Sequence, residues 1–127
     1  MSFRILVVED EPEVRDYLGL ALKQQGYATD FAEDGEEAID VLGRQGSDIG
    51  LMLLDILMPR KDGLETLREV RRTHPMLPVV MLSGSSSTPH VVEAMRGGAH
   101  DFLQKPVSFD EPQNPAASRF TRESRRG

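Results

Sequence analysis

Five short apolar runs recur along this chain, spaced so that each gap can hold one helix. The runs are Ile5–Val8, Tyr27–Phe31, Leu51–Leu54, Val79–Leu82 and Asp101–Leu103. The first, third and fourth are continuous and rich in branched aliphatic residues, as strands buried on both faces should be. The second alternates and reads as an edge strand. The intervening segments have helical spacing. Val14, Leu18, Ala21 and Leu22 form one stripe that starts after Pro12 and stops at Gly26. Asp34 and Glu37 have capping-box spacing ahead of Ala38, Val41 and Leu42; Asp62 and Glu65 repeat it ahead of Leu67 and Val70. Thr88–Pro89 opens a fourth helix, closed by Gly97–Gly98. Strand and helix therefore alternate, which means an α/β fold: a parallel sheet with right-handed crossovers and helices on both faces.

Composition narrows the function classes. A length of 127 residues is one domain, able to bury roughly two-thirds of its unfolded surface and form a core without staples. The chain has no Cys, so disulfides and thiolate metal sites are excluded, and its three scattered His do not suggest a zinc cage. The net charge of −6 argues against broad binding to nucleic acid or anionic membranes and suits a cation or a basic partner. No apolar run approaches the ~18 residues of a membrane span. Met1-Ser2-Phe3-Arg4 leads straight into a strand-like run, so the expectation is a cytoplasmic domain without a signal peptide.

In doubly wound sheets, function sits beyond the carboxyl ends of the strands. Here the first strand ends in Glu9–Asp10, the third in Asp55, the fourth in Ser83 and the fifth in Lys105–Pro106. If these ends converge, one crevice holds three carboxylates, a hydroxyl and an ammonium. Two carboxylates ~4 Å apart repel by about 4 kcal/mol at an effective dielectric of 20. Three stay ionised together only with a cation or with strongly raised pKa values. All-oxygen ligands favour a hard ion, and a shallow site that keeps several waters suits Mg²⁺ better than Ca²⁺. Lys105 and Ser83 would add a charge and a hydrogen bond for phosphoryl oxygens, which is the inventory of phosphoryl transfer. A carboxylate facing phosphorus can act as nucleophile and form an aspartyl phosphate. Taken singly, each of these residues has a plainer role: a helix cap, an acidic first turn, loop, a solvated lysine. Complementary charges at four strand ends fit those roles less well.

With these residues in view, the sequence resembles the receiver domain of a two-component response regulator, of the chemotaxis or NtrC type. The likeness is carried by Ile5–Pro12 around Glu9–Asp10, by Leu53-Leu54-Asp55-Ile56-Leu57-Met58-Pro59-Arg60-Lys61-Asp62-Gly63, by Met81-Leu82-Ser83-Gly84, and by Gly98–Pro106. It covers roughly residues 3 to 108 and implies a flavodoxin-like doubly wound sheet of five parallel strands in the order 2-1-3-4-5. It further implies that Asp55 accepts the phosphoryl group. Asp10 and Asp55 would ligate Mg²⁺ directly and Glu9 through water, and the Leu57 backbone carbonyl would complete the protein ligands. Ser83 would be the switch hydroxyl and Phe102 the switch aromatic. Lys105 would pair with Asp55 and then with the phosphoryl group, and a cis peptide bond before Pro106 would hold it in place. The implied partners are a sensor histidine kinase as donor and a downstream output domain or protein; a phosphorylation-dependent dimer is also compatible. Glu9 stands where Asp is commoner in the family, Ser83 where Thr is, and Phe102 where Tyr is.

The likeness weakens after Lys105–Pro106. Ser108 and Glu111 have capping-box spacing, but Pro112 falls at the fourth helical position, where it costs about 3 kcal/mol. A fifth helix starting at Ser108 should abort. Asn114–Pro115 offers a new start, so the reading is a domain over 1–108 and an atypical segment over 109–127: a displaced helix from about Pro115 to Arg126, or a solvated tail or linker. Four arginines there, Arg119, Arg122, Arg125 and Arg126, lack interleaved aromatics beyond Phe120, and nucleic-acid binding by this chain is not expected. In the family the last helix contributes to kinase docking and dimer formation; those two roles rest on the segment that departs here, whereas the phosphorylation site does not. The alternative reading is a Mg²⁺-dependent phosphatase with an aspartyl-phosphate intermediate, in the haloacid-dehalogenase manner. That class wants an Asp two residues after its nucleophile, where this chain has Leu57. A flavodoxin-like cofactor binder would need a phosphate-cradling loop where Glu9-Asp10-Glu11 would repel an anion.

Overall fold

Branched aliphatic runs with no polar alternation form the centre of the sheet, because only a position covered on both faces can bury them. In the computed structural model, which describes residues 4–58, 61–84 and 88–105, strands and α-helices alternate, with one 3-10 turn, Gly46–Asp48, ahead of the third strand. The strands and α-helices are β1 (Arg4–Val8), α1 (Pro12–Gln24), β2 (Ala28–Ala32), α2 (Gly35–Gln45), β3 (Ile49–Asp55), α3 (Gly63–Thr73), β4 (Val79–Ser83), α4 (Thr88–Arg96) and β5 (Asp101–Gln104). The five strands are parallel in the order β2-β1-β3-β4-β5, as the resemblance implies.

The period-2 geometry of a strand sends successive side chains to opposite faces. Ile5, Val7, Leu51, Leu53, Val80, Leu82 and Leu103 therefore share one face with Leu18 and Leu22 of α1. Leu6, Val8, Met52, Leu54, Val79 and Met81 share the other with buried residues of α2, α3 and α4. Asp34 and Asp62 cap α2 and α3, each side chain accepting the amide of the residue three positions on, Glu37 or Glu65, at 2.9 Å. Gly26 and Gly98 follow α1 and α4 with φ of 94° and 106°, the left-handed conformation in which glycine carries no Cβ penalty.

Most strand ends differ from the apolar runs by one or two residues, and two of these shifts have a visible cause. β3 begins at Ile49 rather than Leu51, because Arg4 pairs with Ile49 across an irregularity before the Ile5–Leu51 pair. β2 begins at Ala28, since the Tyr27 amide turns back to the Leu22 carbonyl at 3.0 Å and closes α1. The expectations for the peptide bond before Pro106 and for a helix from Pro115 to Arg126 lie outside the described residues, as do Met1–Phe3, Pro59, Arg60 and Ser85–Ser87. Among the described residues, no helix is long and apolar enough to cross a membrane.

Candidate functional site

Parallel strands that end together deliver their next residues to one edge. Glu9 follows β1 and is held by its amide on the Ala32 carbonyl at 3.0 Å. Asp55 is the last residue of β3 and sits opposite Leu82 of β4. Ser83 closes β4, and the Lys105 amide donates to its carbonyl at 2.8 Å, which anchors Lys105 at the end of β5. No cap or turn preference accounts for this convergence; it follows from strand order.

The side chains meet. Lys105 Nζ lies 2.7 Å from Glu9 Oε1 and 3.2 Å from Asp55 Oδ2, with Glu11 Oε1 further out at 3.9 Å. Glu9, Asp10 and Asp55 each present a carboxylate oxygen within 4.8 Å of the others. Glu9 is fully buried and Asp55 is 5% exposed, while Asp10 is half-buried. Glu9 Oε2 accepts the Glu11 amide at 3.1 Å. Its buried Oε1 makes no aligned hydrogen bond, so its contact with Lys105 is an ion pair set by charge rather than by direction.

Burial of this much like charge has the expected electrostatic result. The Asp55 carboxyl is pushed up to about 7, first by its desolvation and next by the charge of Glu9, with Lys105 offsetting only part. Burial alone would lower the Lys105 ammonium. Its close contact with Glu9 and the charge of Asp55 outweigh that, so its pKa is raised and it stays protonated. The acid cluster thus holds more negative charge than one lysine neutralises. Its donor set is all oxygen, and it fits a hard divalent ion.

The remaining sequence-derived residues are distributed around this centre. Ser83 is buried, and its hydroxyl donates to the Gly84 carbonyl at 3.2 Å. Leu57 lies in the bend after Asp55 with its side chain 45% exposed. Phe102 sits on β5 opposite Met81 and is 38% exposed, outside the acid cluster. The motif reading paired Lys105 with Asp55; its shorter contact is with Glu9. One contributor escaped the motif reading. Arg15 Nη1 donates to the Glu9 carbonyl at 2.9 Å. Its signal in the sequence is a cation within the first turn of a helix, against the macrodipole preference.

Comparison with known proteins agrees with this geometry. The family model described as the response regulator receiver domain matches residues 5–114. Response regulator MprA of Mycobacterium bovis is 40% identical over 111 residues, covering 87% of this chain and 47% of that protein. MprA of Mycolicibacterium vanbaalenii shows the same identity and coverage. The chain thus spans about half the length of the curated relatives it matches. Among solved structures, the receiver domain of NtrX from Brucella abortus superposes with a TM-score of 0.80 at 36% identity, covering 96% of this chain and 95% of that one. A response regulator receiver protein from Pseudomonas putida gives 0.83 at 30% identity, covering 100% and 98%.

Proposed function

This chain belongs to the response regulator receiver domain family, and from that premise we propose that it is a phosphoacceptor switch working through Asp55. The observation that carries the reading is the meeting of a buried Asp55 carboxylate with Lys105 at 3.2 Å and with oxygens of Glu9 and Asp10 within 4.8 Å. In this reading residues 1–108 form the receiver and 109–127 an atypical C-terminal segment. The donor is the phosphohistidine of a cytoplasmic sensor histidine kinase, and the recipient of the signal is an output domain or a separate protein.

Asp10, Asp55 and the Leu57 carbonyl would hold Mg²⁺, with Glu9 acting through water. Bound there, Mg²⁺ would supply positive charge that keeps Asp55 ionised and offsets the negative charge of the transferring phosphoryl oxygens. An Asp55 carboxylate oxygen attacks phosphorus, the P–N bond to the donor histidine breaks, and an aspartyl phosphate forms. Lys105, freed from part of its contact with Asp55, pairs with the phosphoryl group. Ser83 turns its hydroxyl from the Gly84 carbonyl to a phosphoryl oxygen, a charge-assisted hydrogen bond worth about 1.5–3 kcal/mol. That biases a two-state loop roughly 10- to 150-fold. Phe102, exposed before phosphorylation, turns inward into the space Ser83 vacates, and the surface formed by α4 and β5 changes for its reader.

Incubation with acetyl phosphate, with and without Mg²⁺, followed by Phos-tag electrophoresis tests this. Wild type should acquire about one acid-labile phosphoryl group per chain, slowly and only with Mg²⁺, as expected of an acceptor carboxylate rather than a turnover enzyme. Asp55→Asn should acquire none. Undiminished labelling of Asp55→Asn would remove Asp55 as acceptor, and rapid multiple turnover would favour the phosphatase reading.

A further inference from the structure

Arg15 stands where a cation is least expected, in the first turn of α1, yet its side chain is only 17% exposed. The guanidinium gives up solvent for specific partners. Nη1 donates to the Glu9 carbonyl at 2.9 Å, and Nη2 lies 4.0 Å from Glu33 Oε1 in the segment between β2 and α2. The Arg15 amide donates to the Glu11 carbonyl at 3.0 Å, so backbone and side chain of one residue both grip the turn that carries the acid pair.

Each polar group of Glu9 is therefore held from a different part of the chain. The amide is on Ala32, the carboxylate is on the Glu11 amide and Lys105, and the carbonyl is on Arg15. The Glu9 carbonyl and the Asp10 amide belong to one rigid peptide plane. Pinning that oxygen restrains the plane, and with it the position at which the backbone delivers Asp10, the next residue. Asp10 has no strand pairing to do this, since β1 ends at Val8.

We propose that Arg15 is a positioning residue for the acid pair: by holding the Glu9–Asp10 peptide plane it sets the affinity of the cluster for a divalent cation. The inference rests on the phosphoacceptor reading above and deepens it. Its sign separates it from a plain charge effect. Removing a cation near a cation site should tighten binding if charge alone acts, whereas loss of positioning weakens it.

The test is calorimetric titration of the whole chain with Mg²⁺, alongside the melting temperature in EDTA. Arg15→Met should weaken Mg²⁺ binding about tenfold, the low end for loss of a group that orients metal ligands, and Arg15→Lys should recover to within roughly threefold of wild type. The metal-free melting temperatures of these two variants should match each other. At saturating Mg²⁺, acetyl phosphate labelling of Arg15→Met should return to the wild-type rate. Unchanged or tighter Mg²⁺ binding by Arg15→Met overturns the inference. So does a loss of affinity matched by an equal loss in Arg15→Lys. Should Arg15→Met fail to fold by circular dichroism, Arg15→Gln carries the same comparison. Wild type that takes up no Mg²⁺, or Asp10→Asn that takes it up as wild type does, overturns the phosphoacceptor reading itself.

Discussion

Asp55 combines two demands that conflict in the absence of a cation. The proposed nucleophile needs its charge, and a residue 5% exposed beside Glu9 is placed where charge is disfavoured. The result is a carboxyl pushed up to about 7, mainly by desolvation and then by Glu9. The consequence for stability has a definite sign. The folded pKa lies above the ordinary value of 3.8, so the folded state binds the proton more tightly than the unfolded one. The stability this contributes is fully present below about pH 4 and is lost as pH rises through about 7. In EDTA, the melting temperature of wild type relative to Asp55→Asn should therefore fall between pH 4 and pH 8, with Asn the more stable at pH 8. Parallel curves for the two proteins across that range would contradict the burial argument.

The elements owe their placement to a few close approaches. Gly63 opens α3 directly behind the end of β3, and its amide donates to the Ile56 carbonyl at 2.8 Å. A Cβ there would come within 2.7 Å of Ile56 Cα and 2.8 Å of Ile56 O, and would also strike the Asp55 carbonyl. These are backbone atoms and cannot swing aside. Gly43 in α2 is the contrast, with nothing within 4 Å of an added Cβ. Gly63→Ala should destabilise by about 1–3 kcal/mol, the range for overpacking, and should slow acetyl phosphate labelling by shifting Asp55. Gly43→Ala should stabilise by about 0.5–1 kcal/mol, through helix propensity alone. Urea unfolding followed by far-ultraviolet circular dichroism measures both. Equal effects at the two glycines would mean that the close approach at Gly63 has no energetic weight.

For the molecule taken together, an ion held by the acid cluster would couple binding to folding. The carboxylates that would hold Mg²⁺ lie just after β1 and at the end of β3 and meet only in the folded chain, so a bound ion would stabilise the native state by mass action. At about 100 times Kd this amounts to about 2.7 kcal/mol. At about 4 °C per kcal/mol for a domain of this size, the melting temperature should rise by roughly 10 °C. A thermal melt at pH 8 with Mg²⁺ against EDTA reads the shift, and Asp10→Asn should lose most of it. An equal rise in Asp10→Asn would assign the stabilisation to ions elsewhere on an acidic chain.

Much of this architecture could be read along the chain. The caps at Asp34 and Asp62, the stops at Gly26 and Gly98 and the buried runs of β1, β3 and β4 act over three or four residues, so spacing alone reveals them. The candidate residues at the strand ends were legible too, because alternating strands and helices in a parallel sheet bring carboxyl ends to one edge. Their partnerships were not. That Lys105 lies nearer Glu9 than Asp55, and that Arg15 holds the Glu9 carbonyl, depends on contacts between distant segments. Such contacts form only when burial strips water from those groups and leaves each charge to find its nearest opposite. Local spacing acts before the chain folds, whereas desolvation acts only after it.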